Sequence, residues 1–201
     1  MRVIAGEAKG RRLAGPRGSA DLRPTTDRLR EALFSALGPG VAGTAVLDLY
    51  AGTGALGIEA LSRGARHAVF VDHDRGAVAT IRANLAATGL EGRARVEQVT
   101  AERFAARLGG AGAPHAAPGT GGPFDLVLLD PPYGSGFPGE VVAALAAAGH
   151  LAPGALVVVE IAALPGAPPP LPVAGGLAVV DHRRYGDSAL VFLRAAEAAS
   201  A

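Results

Sequence analysis

The chain is 201 residues long and has neither cysteine nor tryptophan, and aromatic residues make up only 4% of it. Without cysteine there can be no disulfide bonds, thiolate zinc sites or cysteine nucleophiles. With so few aromatic residues, a broad stacking platform for single-stranded nucleic acid is not expected. The apolar runs at 141–148 and 155–164 are far shorter than the roughly 20 residues of a membrane-spanning helix, and the N-terminus lacks the apolar core of a signal peptide. These absences predict a cytoplasmic protein without a membrane contact.

The chain does contain enough apolar material for a core. Hydrophobic residues make up 49% of it and charged residues 18%, which suits one folded domain. The net charge of +1 hides an uneven distribution, because residues 1–30 hold eight basic and three acidic residues, giving +5 there and −4 elsewhere. A basic arm on a mildly acidic body is typical of proteins that bind nucleic acid, although a solvated surface in an arginine-rich chain gives the same pattern.

Short apolar strands alternate with helices from residue 44 onward. Strands are predicted at Val46–Leu49, Ala68–Val71, Ala94–Val99, Phe124–Leu129 and Ala155–Ile161, and helices at 55–63, 74–87, 102–108 and 139–148. This alternation predicts an α/β fold whose mostly parallel sheet is covered on both faces. The last two apolar runs, Leu177–Tyr185 and Ser188–Arg194, are joined directly at Gly186-Asp187 and predict an antiparallel hairpin.

The remaining segments are an N-terminal extension, a leading helix and a loop. The extension covers residues 1–23 and is predicted to begin with a strand over Arg2–Ala5. The main domain, residues 24–201, opens with a helix over 24–38 whose stripe of leucines leaves Arg28 and Arg30 outside the apolar face. Residues 109–123 have low complexity, which predicts a flexible loop.

A glycine loop follows the first strand and carries the first chemical signal. Gly52, Gly54 and Gly57 satisfy the spacing of a dinucleotide-binding turn, with Asp72 twenty residues further on. An NAD-dependent oxidoreductase therefore remains one alternative. Asp48, inside the strand, favours a nucleoside ligand that also carries an ammonium group, because a dinucleotide site needs no carboxylate there.

The stretch Asp48-Leu49-Tyr50-Ala51-Gly52-Thr53-Gly54 resembles the D-x-x-A-G-x-G loop of S-adenosylmethionine-dependent methyltransferases. The resemblance implies that Asp48 lies near the methionine end of S-adenosyl-L-methionine, that the cofactor lies over the loop residues Ala51, Gly52, Thr53 and Gly54, and that Asp72 accepts hydrogen bonds from the ribose. His73 would flank the adenosine. Families of this type often have Asp-Ala at the adenine contact, where this chain has Thr100 and Ala101, so either Thr100 or the nearby Glu102 would accept from the adenine.

A second motif, Asp130-Pro131-Pro132-Tyr133, follows the fourth predicted strand. Two prolines fix the backbone and remove two donors, so the Asp130 carboxylate and the Pro131 carbonyl present acceptors only. Two acceptors can hold an exocyclic amino group in line with a methyl donor, and Tyr133 can stack on the base. The motif is typical of enzymes that methylate amino groups of nucleobases. Methylation of a pyrimidine carbon would need the missing thiolate.

Taken together, these segments resemble the RsmD-type small-subunit (16S) ribosomal RNA guanine-N2 methyltransferases over nearly the whole chain. The segments that carry this resemblance are Arg2–Glu7, Leu22–Glu31, the glycine loop with Leu56–Ala65, the Asp-Pro-Pro-Tyr motif and Arg184–Ser188. The resemblance implies a Rossmann-like class I methyltransferase fold with a seven-stranded, mostly parallel sheet. It also implies methyl transfer from S-adenosylmethionine to N2 of one guanine in 16S ribosomal RNA, within an assembling small ribosomal subunit.

The basic arm would then contact the RNA backbone. We expect phosphate contacts from Lys9, Arg11, Arg12 and Arg23, with Arg28 and Arg30 as further basic residues. The five histidines show no ligand spacing, so no metal is expected, and we expect a monomer. Besides the oxidoreductase, the alternatives are a DNA adenine-N6 or cytosine-N4 methyltransferase and a non-catalytic RNA-binding assembly factor.

Overall fold

A computed structural model describes residues 1–15, 27–108, 123–132, 138–163 and 176–197 of the chain. The helices are α1 (Asp27–Leu37), α2 (Ala55–Ser62), α3 (Arg75–Thr88), α4 (Ala101–Leu108) and α5 (Gly139–Ala147). The strands are β1 (Ala45–Leu49), β2 (His67–Asp72), β3 (Ala94–Gln98), β4 (Phe124–Leu129), β5 (Leu151–Ala162), β6 (Leu177–Tyr185) and β7 (Ser188–Ala195). The strands and helices predicted after residue 44 are all present, with ends that differ by a few residues.

All seven strands form one sheet in the order β3-β2-β1-β4-β5-β7-β6. The pairs β3–β2, β2–β1, β1–β4 and β4–β5 are parallel, and the pairs β5–β7 and β7–β6 are antiparallel. The α/β fold and the C-terminal antiparallel hairpin are therefore confirmed. From β1 the chain adds β2 and β3 on one side of the sheet, and from β4 it adds β5 on the other side. A sheet of this kind binds ligands in the crevice beyond the carboxyl ends of β1 and β4.

Helices cover both faces of the sheet, so there are two apolar cores. On the first face, α1, α2 and α3 pack against alternate strand residues such as Phe70 and Leu128. On the second face, α4 and α5 pack against the residues in between, such as Leu47 and Val127. This arrangement explains why β1 is buried along its whole length, and why the sequence of such a strand is continuously apolar instead of alternating.

Helix α1 differs from its prediction at one residue. Leu29, Leu33 and Phe34 are buried as the leucine stripe indicates, and Arg28 is exposed. Arg30, however, is 0% exposed, so the prediction that it lies off the buried face and contacts RNA is wrong. Its guanidinium pairs with Asp27 and with Glu59 of α2, and a carboxylate from another helix is a partner that α1's own periodicity cannot reveal.

The N-terminal extension packs on the main domain as a compact turn. The predicted strand Arg2–Ala5 is wrong, because this segment forms only an isolated antiparallel bridge between Arg2 and Arg12. Backbone hydrogen bonds join Val3 to Arg11 and Gly10 and join Leu13 to Met1. The apolar side chains of Val3, Ala8 and Leu13 join the first core.

Several predictions fall outside the described residues. Among them are Arg23, Tyr133, the first residues of the predicted leading helix, and the loop over 109–123 apart from Pro123.

Candidate active site

Four neighbouring parallel strands each place one carboxylate at the same edge of the sheet. In the order of the strands across the sheet, β2, β1, β4 and β5, these residues are Asp72, Asp48, Asp130 and Glu160. The residue two positions before each of them belongs to the first core, and side chains two apart share a face. The four carboxylates therefore lie on the face that α1, α2 and α3 cover. Asp48 is set two residues further back than the other three, because it pairs with Phe70 and Leu128. This carboxylate row suits a positively charged ligand.

Asp48 is the most deeply buried member of the row, at 1% exposed. Its Oδ2 accepts a hydrogen bond from the backbone N–H of Gly57, 2.9 Å away, in the first turns of α2. Burial raises the pKa of Asp48 well above its ordinary value, and the charges of Asp130 and Asp72 raise it further, while the Gly57 hydrogen bond lowers it. A cation brought to this site would favour the charged carboxylate.

Asp72 holds the glycine loop as well as facing the crevice. Its Oδ2 accepts from the N–H of Gly52 at 2.8 Å, and its Oδ1 accepts from the N–H of Asp74 at 2.9 Å. Each carboxylate oxygen has a second lone pair, so these bonds leave acceptor capacity toward a ligand hydroxyl. Gly52 and Gly54 have φ values of 55° and 75°, in the left-handed region that glycine adopts without strain.

A cavity of about 230 Å³ opens beside this loop, at the carboxyl ends of β1, β2 and β3. The residues that line it are Tyr50, Val71, Asp72, His73, Thr100, Ala101, Glu102 and Pro132. Four of the residues predicted to bind the cofactor, Asp72, His73, Thr100 and Ala101, are thus brought together. The other predicted cofactor residues, Asp48 and Ala51–Gly54, lie in the adjoining strand and loop.

Tyr50 is a cavity residue that the sequence did not single out. Its hydroxyl donates a hydrogen bond to Oε1 of Glu102 at 2.9 Å, and burial followed by this bond raises its pKa above the ordinary value. Tyr50 also has φ 57°, a strained conformation for a residue with a side chain, of the kind that clusters at ligand sites. The sequence signal was available: an aromatic residue directly between the strand and the glycine loop.

The motif that begins at Asp130, here called the acceptor motif, borders the same cavity. Asp130 follows β4, and its N–H points to the carbonyl oxygen of Leu49 in β1 at 3.5 Å. Asp130 and Pro131 are partly buried, whereas Pro132 is exposed and lines the cavity. The motif and the residues predicted to bind the cofactor therefore share one crevice.

The basic residues of the extension that the structure describes are exposed, whereas Arg30 of α1 is buried. Lys9, Arg11 and Arg12, here called the arm cations, are all exposed, as is Arg28. Arg11 donates from Nη1 to the carbonyl oxygen of Ala87, 3.0 Å away near the end of α3, which fixes its position on the surface. The exposed cations are therefore available to a polyanion, in contrast to Arg30.

Glu59 attaches the extension to α2 and was also missed by the sequence analysis. This carboxylate is 0% exposed and accepts from the backbone N–H of Ile4 at 2.8 Å and of Ala5 at 3.0 Å. It pairs with Arg63 at 2.7 Å and with Arg30 at 3.8 Å. The buried pair of Arg30 and Glu59 thus joins α1, α2 and the N-terminal segment.

Among the described residues, no three or more His, Asp or Glu side chains are grouped so that they could hold a metal ion. Within the same part of the chain, no helix is both long and apolar enough to cross a bilayer.

Comparison with known proteins agrees with this geometry. The family model described as Conserved hypothetical protein 95 matches residues 1–194. The chain is 45% identical over 133 residues to the putative rRNA methyltransferase YlbH of Bacillus subtilis (strain 168), covering 66% of this chain and 67% of the relative. It is 41% identical over 160 residues to ribosomal RNA small subunit methyltransferase D of Escherichia coli (strain K12), covering 80% of this chain and 74% of that protein.

Solved structures agree with the sheet order. The putative methyltransferase yhhF from Escherichia coli superposes with a TM-score of 0.80 at 35% identity, over 98% of this chain and 99% of that one. An RNA methyltransferase from Salinibacter ruber in complex with S-adenosyl-L-homocysteine has a TM-score of 0.60 at 16% identity, over 88% and 96% of the two chains, which shows a shared fold. The class I methyltransferase fold is thereby confirmed. The chain belongs to the family described as Conserved hypothetical protein 95, the family of ribosomal RNA small subunit methyltransferase D, as its motifs indicated.

Proposed function

We propose that this protein transfers a methyl group from S-adenosyl-L-methionine to the exocyclic N2 of a guanine in small-subunit (16S) ribosomal RNA. The observation that carries the proposal is the position of Pro132: the acceptor motif borders the cavity that Asp72, His73 and Ala101 also line. An amino group held by Asp130 would therefore lie next to a cofactor held in that cavity. We further propose that the protein acts as a monomer in the cytoplasm, without a metal, on an assembling small subunit.

The site fits the proposed cofactor in shape and charge. The cavity of about 230 Å³ accepts the adenosine, and Asp72 at its wall is placed for the ribose hydroxyls. The row of carboxylates favours the sulfonium and ammonium charges, with Asp48 at the methionine end, and Ala51, Gly52, Thr53 and Gly54 form the floor under the cofactor. When bound, the cofactor supplies an electrophilic methyl group.

Glu102 is our proposed acceptor for the adenine amino group. Oγ1 of Thr100 accepts a hydrogen bond from the backbone N–H of Arg103 at 3.3 Å and so stabilises the start of α4. Glu102 is exposed toward the cavity, and the Tyr50 hydroxyl holds one of its oxygens. The other carboxylate oxygen of Glu102 carries charge, so it is a stronger acceptor for the adenine amino group than the Thr100 hydroxyl.

The chain's own residues act on the base. The Asp130 carboxylate and the Pro131 carbonyl accept hydrogen bonds from the two N–H groups of the guanine amino group. These bonds keep the nitrogen lone pair directed at the methyl donor. The Asp130 carboxylate also lowers the cost of the positive charge that develops on that nitrogen, and it accepts the proton that the methylated nitrogen then loses. Tyr133, next in the motif, would stack on the base and offset the cost of extruding it from the RNA.

The arm cations would contact phosphates and position the RNA without reading its sequence. Arg28 is exposed on α1, so it is included in this surface, and Arg23 belongs to the same basic segment of the sequence. Arg30 is excluded by its burial.

Transfer of a labelled methyl group to hypomethylated small subunits tests the proposal. We expect activity from the purified protein, loss of activity in Asp130→Ala with unchanged binding of S-adenosylhomocysteine, and full activity in the control Asp187→Asn, an exposed carboxylate of the hairpin turn. Full activity of Asp130→Ala would refute the assigned role.

Competing DNA and RNA substrates separate this function from DNA amino-group methylation, the second candidate that the same motif supports. Tight NAD binding without binding of S-adenosylhomocysteine would instead support an oxidoreductase.

A further inference from the structure

Asn84 of α3 contacts both the N-terminal arm and the glycine loop. Its Oδ1 accepts a hydrogen bond from the N–H of Ala14 at 2.7 Å. Its Nδ2 donates to the carbonyl oxygen of Ala14 at 3.2 Å and to the carbonyl oxygen of Thr53 at 2.9 Å. Ala14 lies next to the last described residue of the arm, and Thr53 lies between Gly52 and Gly54 of the loop proposed to support the cofactor.

The Asn84 carboxamide uses both of its N–H donors in these contacts. An amide side chain has two N–H hydrogens, and here one serves each carbonyl. Asn84 is 1% exposed, so water cannot easily replace these bonds. The reverse orientation of the amide would place Oδ1 against two carbonyl oxygens, so only the observed orientation satisfies all three backbone groups.

Besides the hydrogen bond from Arg11 to Ala87 near the end of α3, the arm is attached to a different helix, α2. Ser62, at the end of α2, accepts from the N–H of Ala8 at 3.0 Å and donates to the carbonyl of Ala5 at 2.6 Å. Glu59 holds Ile4 and Ala5 one turn earlier. These bonds dock the arm but do not involve Thr53, so Ser62 offers a matched control: a buried polar side chain with two arm contacts.

We propose that Asn84 is a positioning residue that couples the cofactor loop to the basic arm. Occupation of the loop by the cofactor holds the Thr53 carbonyl in place, which holds Asn84 and therefore keeps the arm docked. Coupling between two sites is reciprocal, so RNA bound to the arm would tighten cofactor binding by the same factor. The RNA half of this inference rests on the proposed function, whereas the effect of the cofactor on the arm does not need RNA.

Hydrogen–deuterium exchange on the full chain without RNA tests the coupling. Calorimetry first establishes that S-adenosylhomocysteine binds, and absence of binding would contradict the proposed function instead. With the site saturated, we expect exchange in the peptide covering 1–15 to slow by about fivefold or more, the lower end of typical coupling factors. The protection should vanish in Asn84→Ala and persist in Ser62→Ala.

Asn84→Asp is a second variant that fills the same space. It keeps an acceptor for the Ala14 N–H but places an oxygen against the two carbonyls, so it should also lose the protection. Far-UV circular dichroism verifies that each variant is folded. Protection that persists in both Asn84 variants, or that is absent in the unmodified protein, would overturn the inference. Loss of the protection in Ser62→Ala would also overturn the inference, because any change that loosens the arm would then remove the protection.

The RNA half is tested by measuring the affinity for S-adenosylhomocysteine with and without a small-subunit RNA fragment. We expect RNA to raise this affinity by about fivefold or more in the unmodified protein and in Ser62→Ala. In Asn84→Ala the two affinities should be equal. An undiminished ratio in Asn84→Ala would refute the coupling, whereas RNA that does not bind at all would contradict the proposed function.

Discussion

Replacing Gly57 with alanine has two opposing effects on the stability of the folded protein. Gly57 lies inside α2, where alanine favours the helix over glycine by about 1 kcal/mol, so helix propensity alone predicts stabilisation. The space around Gly57 predicts the reverse. A Cβ atom there would lie 2.7 Å from Cζ of Phe70, closer still to Cε1 of the same ring, and 3.0 Å from Oδ2 of Asp48.

The steric effect should win, because nothing around Gly57 can yield cheaply. Phe70 is 0% exposed in β2, and carbon atoms pack at about 3.5–4.0 Å, so α2 would have to retreat by about 1 Å. Overpacking costs about 1–3 kcal/mol, and weakening the hydrogen bond from Gly57 to Asp48 costs about 1 kcal/mol more. Against the gain in helix propensity, we expect a net loss of about 2 kcal/mol in the free energy of unfolding.

Urea denaturation followed by circular dichroism measures this loss. Gly92→Ala is the control, since no atom lies within 4 Å of a Cβ built there, and it should change stability by less than about 0.5 kcal/mol. Adding Phe70→Leu to Gly57→Ala should recover part of the loss, giving a coupling of about 1 kcal/mol between the two positions. A Gly57→Ala protein as stable as the unmodified one would refute the packing argument.

Three further predictions concern charge. Burial raises the pKa of Asp48 above its ordinary value of 3.8, so the folded state loses stability as pH rises from that value through the folded-state pKa. In urea denaturation, Asp48→Asn should therefore become more stable relative to the unmodified protein as the pH rises through this range, while it binds S-adenosylhomocysteine more weakly. Glu59→Ala removes one of the two carboxylates that pair with the buried Arg30 and the acceptor of the Ile4 and Ala5 N–H groups, and it should cost about 3–5 kcal/mol in the same assay. Changing the arm cations to alanine should weaken RNA binding and flatten the dependence of log affinity on log salt by about 2, with cofactor affinity unchanged in calorimetry; an unchanged salt dependence would exclude the arm from the interface.

Much of the fold follows from local pattern. Short apolar runs such as 126–129 are typical of strands buried on both faces, and glycine and proline near their ends separate them from the helices. Residues that follow parallel strands meet at one edge of the sheet, which is why Asp72 and the Asp130 motif share a crevice. These inferences need only the order of elements along the chain.

The features that the sequence did not reveal depend on contacts between distant residues. Arg30 looked like a surface cation because its partner, Glu59, lies on another helix. Tyr50 and Glu102 are 52 residues apart, and Asn84 meets Ala14 across 70 residues. Hydrophobic periodicity describes one element at a time, so it cannot report a polar partner that a second element supplies.

The central claim is that the protein methylates N2 of a guanine in small-subunit ribosomal RNA. Its most direct test is mass spectrometry of nucleosides and fragments of 16S ribosomal RNA from a strain lacking the gene. We predict that one N2-methylguanosine is absent, that the gene restores it, and that the Asp130→Ala form does not. An unchanged set of modified nucleosides in the deletion strain, or restoration by Asp130→Ala, would contradict the account.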